Sequence, residues 1–164
     1  MSNNVATIKD GWLTLSRITY YSDLQRGIQF PLGVMAEIAI IGSVHGLGLI
    51  ARTGLEPSEL ASVGRLMKDA LSNPFEFLKS EFEWAWNTAP AGGALSALCG
   101  RHSESLFFAP PVKSMIRRAF KSEAEVADFA RRQLREKRDD EFDLMLAELL
   151  HPALYSGEMA QVAA

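Results

Sequence analysis

The fold turns on one stretch, Phe30 to Ala51, FPLGVMAEIAIIGSVHGLGLIA. It runs for 22 residues and carries a single formal charge, Glu37. A helix that crosses a bilayer needs about 20 apolar residues, so length alone admits a membrane span. The interior of the stretch argues against one. Pro31, Glu37 and His45 interrupt it, and glycines stand at Gly33, Gly42, Gly46 and Gly48. A central carboxylate and a glycine-rich middle fit two strands and a turn. Gly33 to Ile41 then forms a strand that is almost wholly apolar, as a strand buried on both faces must be. Gly42-Ser43-Val44-His45-Gly46 makes the hairpin connection, its glycines open to positive φ. Leu47 to Arg52 is the returning strand.

Upstream, Trp12 to Tyr21 is rich in β-branched and aromatic residues and partly alternates, with Leu13, Leu15 and Ile18 as core positions. Ser22 to Gly27 is a turn. The expectation is an antiparallel meander of three strands.

Beyond residue 55 the pattern becomes helical. Pro57 opens a helix whose apolar stripe is Leu60, Val63, Met67 and Leu71. Asn73-Pro74-Phe75-Glu76 opens the next, with Asn73 as cap and Phe75, Leu78, Phe82, Ala85 and Trp86 on one face. Ala89 to Gly93 is loop chemistry. Leu95–Leu98 and Ser105–Phe108 read as short strands or irregular core pieces, with Leu106, Phe107 and Phe108 the stronger strand. After Pro110-Pro111, the spacing of Val112, Met115, Ile116 and Phe120 predicts a short helix. Ser122-Glu123-Ala124-Glu125 is a capping box for a helix buried through Val126, Phe129, Ala130 and Leu134. The helical pattern resumes at Phe142, Met145, Leu146 and Leu149.

The chain has 164 residues, 48% hydrophobic and 23% charged, with a net charge of −3. That suits one compact domain and excludes a disordered chain. It is not basic enough for a general nucleic-acid coat. The single cysteine, Cys99, forbids an intramolecular disulfide, and its apolar flanks read as a packed, inert thiol. Met1 to Asp10 has no basic region followed by an apolar run, so the expectation is a cytoplasmic setting without a secretory leader. The expected organisation is one α+β domain over residues 1–164, a small antiparallel sheet from the N-terminal third packed against several helices. It is strand-rich over 5–52, helical over 56–87, mixed over 88–111 and helical over 112–150, with a frayed tail over 151–164.

Ser16-Arg17-Ile18-Thr19-Tyr20-Tyr21-Ser22-Asp23, followed by Arg26-Gly27 and by Gly33-Val34 on an apolar strand, resembles the opening of the DUF3037 family. That family begins with a strand, a turn with tyrosine and acid, an Arg-Gly pair and a Val-Gly-Val strand. The resemblance covers about a quarter of the chain and implies a bacterial α+β domain. Ile28 stands where the family usually has an acid, and Pro31-Leu32-Gly33 where it has Asn-Val-Gly.

No catalytic constellation stands out. The three histidines, His45, His102 and His151, are far apart in sequence, and no metal motif, phosphate loop or Gly-x-Ser-x-Gly elbow occurs. No metal or cofactor is expected. One loop crowds polar groups together: Tyr20, Tyr21, Asp23, Gln25 and Arg26. Arg26 offers a planar fork for a carboxylate or phosphate. Tyr21, Asp23, Arg26 and His45 are therefore the candidate ligand-binding residues. An Asp23–Arg26 pair that merely stabilises the turn is the plainer reading.

Charge is unevenly spread. Residues 113–138 carry nine cations against four acids, a net +5, and residues 139–148 carry five acids and no cation. Arg117, Arg118, Arg131, Arg132 and Arg135 form a candidate partner-binding ridge, suited to an acidic protein surface. The plainer reading is a solvated face laced with weak ion pairs. The acidic block next door disfavours nucleic acid. The expected function is a small interaction or regulatory protein without chemistry of its own, with self-association open. The alternative is a ligand-binding protein or enzyme that uses the Tyr20–Arg26 loop with a nearby histidine.

Overall fold

The computed structural model describes residues 5–23, 28–54, 74–88, 93–101, 106–136, 138 and 142–152. Six strands and three helices are found among them. They are β1 (Thr7–Asp23), β2 (Ile28–Ile40), β3 (Val44–Arg52), α1 (Pro74–Thr88), α2 (Ala94–Arg101), β4 (Leu106–Phe108), β5 (Val112–Phe120), α3 (Glu123–Arg135) and β6 (Phe142–Pro152). The fold is α+β, an antiparallel sheet packed against helices.

The meander of β1, β2 and β3 forms as expected, but all three strands are longer than the pattern suggested, and Val44, His45 and Gly46, read as part of the hairpin connection, belong to β3. Gly42, at φ 78°, turns the chain between β2 and β3, and the Ser43 amide donates to the Ile40 carbonyl at 2.9 Å. Only glycine adopts that backbone without strain. The strand order is β4-β1-β2-β3-β6, with β5 paired to the same side of β1 as β4. Pro110 and Pro111 separate β4 from β5. Neither has an N–H to give, so the ladder breaks there, at a sheet edge where prolines are tolerated. Across the break, the Ala109 amide donates to the Arg17 carbonyl at 2.9 Å, and the Ser16 hydroxyl to the Ala109 carbonyl at 2.8 Å.

Two segments read as helix are strands. Val112–Phe120 is β5 and Phe142–Pro152 is β6, so the expected helical span 112–150 holds one helix between two strands. The apolar steps of three and four in both segments suit a helix face, and sheet pairing overrides them. The deciding factor is β3, which is buried along almost its whole length. Its outer N–H and C=O groups must be satisfied without water, and β6 satisfies them. His151 and Pro152, read as the start of a frayed tail, pair with His45 and Val44. Leu95–Leu98 is likewise helical, within α2. The expected helix around Leu60–Leu71 lies outside the described residues.

Helices cover both faces. One face buries Ile18, Met35, Leu47 and Leu49 against Leu78, Phe82 and Ala85 of α1 and Leu95 and Leu98 of α2. The other buries Ala36, Ile38, Ile40 and Phe120 against Val126, Phe129, Ala130 and Leu134 of α3. The α3 start follows its sequence signal: the Ser122 hydroxyl accepts from the Glu125 amide at 3.1 Å, and Glu125 accepts from the Lys121 amide at 2.9 Å. Gly46 and Gly48 let α3 sit close to β3. A Cβ on Gly46 would lie 2.9 Å from the Leu134 Cδ1 and 2.7 Å from the Leu150 Cδ1. Among the described residues no helix is long and apolar enough to cross a membrane.

Candidate functional site

Strand alternation sends Trp12, Thr14, Ser16, Met35, Glu37, His45 and Leu47 to the α1/α2 face. Glu37 sits mid-strand, opposite Thr14 on one side and Leu47 on the other. It is 1% exposed, and His45 is 4% exposed. Their contact, Glu37 Oε2 to His45 Nε2, is 2.8 Å. The same carboxylate faces the start of α2, accepting at longer range from the amides of Ala94 (3.4 Å) and Leu95 (3.5 Å). Helix-start amides lack intrahelical partners, and the helix dipole favours an anion there. Glu37 thus ties β2 to β3 and to α2 at once.

His45 stacks on Trp86, with ring centroids 4.9 Å apart, and Trp86 stacks on His151 at 5.2 Å. His45 Nδ1 is buried without a hydrogen-bond partner. With both Glu37 oxygens facing protein donors, the pair works as a structural clamp. A hollow of about 210 Å³ opens beside it, lined by Trp12, Thr14, Glu37, Ser96 and Lys113 among others. No group of three or more metal-ligating side chains occurs among the described residues.

The candidate ligand residues are not brought together. Tyr21 pairs with Gln29, whereas His45 pairs with Ala39, ten residues along β2. At about 3.3 Å per residue, the two ends are roughly 30 Å apart. Tyr21 and Asp23 lie at the end of β1, and Arg26 and His102 lie outside the described residues. A histidine near the tyrosine turn is therefore not supplied by His45. The residue missed in the sequence is Glu37. Its signal was present, a lone acid in an otherwise apolar stretch, but it served only to argue against a membrane span.

The basic ridge divides in two. Arg117 and Arg118 stand on β5, and Arg131, Arg132 and Arg135 on α3. The α3 arginines are engaged locally. Arg131 pairs with Asp128 at 3.7 Å, Arg132 donates to the Asp128 carbonyl at 3.4 Å, and Arg135 meets Glu148 of β6 through two contacts, 2.5 and 3.2 Å. That hydrogen bond and the charge of Glu148 raise the Arg135 pKa above its ordinary value. On β5, Arg117 reaches exposed Asp10 at 3.3 Å. Lys113 lies over the Trp12 ring, and Arg118 over Phe120 and Phe129. Cations over rings keep their full charge.

No family model, no curated protein and no solved structure matches the chain.

Proposed function

We propose that this protein acts by binding another protein, with β5 as the edge that receives an extended, acidic segment of the partner, and that it has no chemistry of its own. The observation that carries this reading is β5 itself. Seven of its nine residues are exposed, and among the described residues its ladder runs to β1 alone. A bare strand edge is a template for an added strand, and native proteins cover or guard such edges unless they are used. Val112 and Met115 stay 65% and 75% exposed along it. Lys113, Arg117 and Arg118 flank them, and Val112–Phe120 contains no acid. An incoming strand would therefore meet positive charge on both of its faces. Of these cations Arg117 is already shared with Asp10 of β1 at 3.3 Å, and the α3 arginines stand on the helix rather than on this strand.

The test is a labelled peptide of alternating Glu and Val, titrated by fluorescence anisotropy, with an alternating Lys and Val peptide as control. The acidic peptide should bind saturably and weaken as salt rises, because exposed charges are screened. Reversal of both arginines, Arg117→Glu with Arg118→Glu, should abolish binding and leave the melting temperature nearly unchanged. Affinity purification from the native host with each form should show a partner lost on reversal. If neither peptide binds and the host proteins recovered are the same for both forms, the edge is only guarded by its cations and the reading fails. Sedimentation of the isolated chain separates a second copy of this protein as the occupant, which would also overturn it.

A further inference from the structure

Glu37, Thr14 and Lys113 form one row across three strands. Thr14 on β1 is the cross-strand partner of Glu37 on β2 and of Lys113 on β5. Cross-strand partners share a face, so all three side chains stand on the α1/α2 side of the sheet. Trp12, two residues before Thr14, stands there too. The start of α2 lies over the row, and the space between them is the hollow of about 210 Å³. Its described lining includes Trp12, Thr14, Glu37, Leu95, Ser96 and Lys113, with one acid and one base among them. Glu37, 1% exposed, stands at the inner end, and exposed Lys113 at the outer. Neighbouring strands lie about 4.8 Å apart, which sets the two backbones roughly 10 Å from each other.

The two charges do not meet. Lys113 lies over the Trp12 ring, 4.9 Å from its centroid, and no carboxylate among the described residues pairs with it. Glu37 meets the His45 ring and two backbone amides. A proton on His45 Nδ1, which has no partner, would leave a buried N–H unpaired. The tautomer that fits is the neutral ring, donating through Nε2. The carboxylate then has hydrogen bonds and no counter-charge among the described residues, a costly state for a buried ion. It also keeps acceptor capacity. Oε2 takes His45 and the Ala94 amide, whereas Oε1 meets only the Leu95 amide, at 3.5 Å, and each carboxylate oxygen can accept about two hydrogen bonds.

We propose that this hollow binds a small zwitterionic amino acid, its ammonium on Glu37 Oε1 and its carboxylate on the Lys113 ammonium. Thr14 and Ser96 offer hydroxyls between the two charges, and Trp12 an aromatic wall. Charge-assisted hydrogen bonds of this kind are among the stronger ones. The volume lies below the roughly 300–1,000 Å³ usual for drug-sized ligands, which restricts the occupant to a molecule of few heavy atoms. The separation of Glu37 from Lys113 asks for a short chain between ammonium and carboxylate. The site shares Lys113 with the β5 edge and uses neither Arg117 nor Arg118.

4-Aminobutyrate is the probe, with butyrate lacking the ammonium and butylamine lacking the carboxylate. Calorimetric titration of the full chain should show saturable binding of 4-aminobutyrate. Each control should bind about tenfold more weakly or not at all, the scale of one lost charge-assisted hydrogen bond. Lys113→Gln, at an exposed position, should weaken 4-aminobutyrate by the same factor and leave the melting temperature nearly unchanged. Glu37→Gln should abolish binding. Glu37 also holds His45 and the start of α2, so that variant can fail to fold, and Lys113→Gln then decides alone. The double reversal Arg117→Glu with Arg118→Glu should keep 4-aminobutyrate binding, which separates a failure of strand addition from a failure of this site. No saturable binding of 4-aminobutyrate overturns the proposal, as does equal binding of either control or unchanged affinity in Lys113→Gln.

Discussion

Glu37 Oε2 lies 2.8 Å from His45 Nε2 in the interior of the sheet, and both side chains are almost fully buried. They come from adjacent strands, offset by one pair, since His45 faces Ala39 and Glu37 faces Leu47. Breaking a buried, hydrogen-bonded pair by removing one partner leaves the other desolvated and unsatisfied. Glu37→Leu should therefore cost about 2–4 kcal/mol of unfolding free energy. It also strips the amides of Ala94 and Leu95 of their acceptor. Glu37→Gln keeps an acceptor oxygen and should lose less. Urea denaturation of the three forms gives the order directly. A Leu variant as stable as wild type would remove the clamp from the account.

His45→Phe separates stacking from hydrogen bonding. The new ring can still stack on Trp86, but Glu37 loses its nearest donor. A loss comparable to that of Glu37→Leu is expected. Near-neutral behaviour in chemical denaturation would mean that the ring contact with Trp86, not the hydrogen bond to Glu37, carries the stabilising role of His45.

Gly46 tests the close approach of α3. Overpacking a well-filled core costs about 1–3 kcal/mol. Gly46→Ala should fall in that range, because its Cβ would lie under 3 Å from Leu134 and Leu150 side-chain carbons. Leu134→Ala alone should cost about 2–5 kcal/mol by opening a cavity. Combined, the two should cost less than their sum, as contacting residues do. A double-mutant cycle that closes additively would show that the helix simply moves away.

The helix cap and the ion pair of α3 should differ in worth. Ser122→Ala removes the cap of the Glu125 amide and should cost about 1 kcal/mol. Arg135→Ala breaks an ion pair whose arginine is exposed, a kind of contact that solvent screens and that adds little to stability. Melting curves at low and high salt separate them. The Arg135 effect should shrink with salt, and the Ser122 effect should persist.

The sequence by itself determined the local elements. Periodicity and caps placed the β1–β3 meander, the buried stripe Leu78, Phe82 and Ala85, and the α3 start at Ser122 with its buried Val126, Phe129, Ala130 and Leu134. These depend on neighbours within a turn or a pleat, which is the range over which a sequence pattern acts. Only the tertiary structure decided β5 and β6. Val112–Phe120 and Phe142–Pro152 carry apolar steps of three and four, a helical pattern, and yet both are strands. Hydrogen-bonding groups about a hundred residues away, on β1 and on β3, overrode it. The same holds for the polar sites. Glu37 meets His45 and the start of α2, and shares a hollow with Lys113, because strand register and helix packing bring them together. Tyr21 and His45 stand apart for the same reason, opposite the two ends of β2.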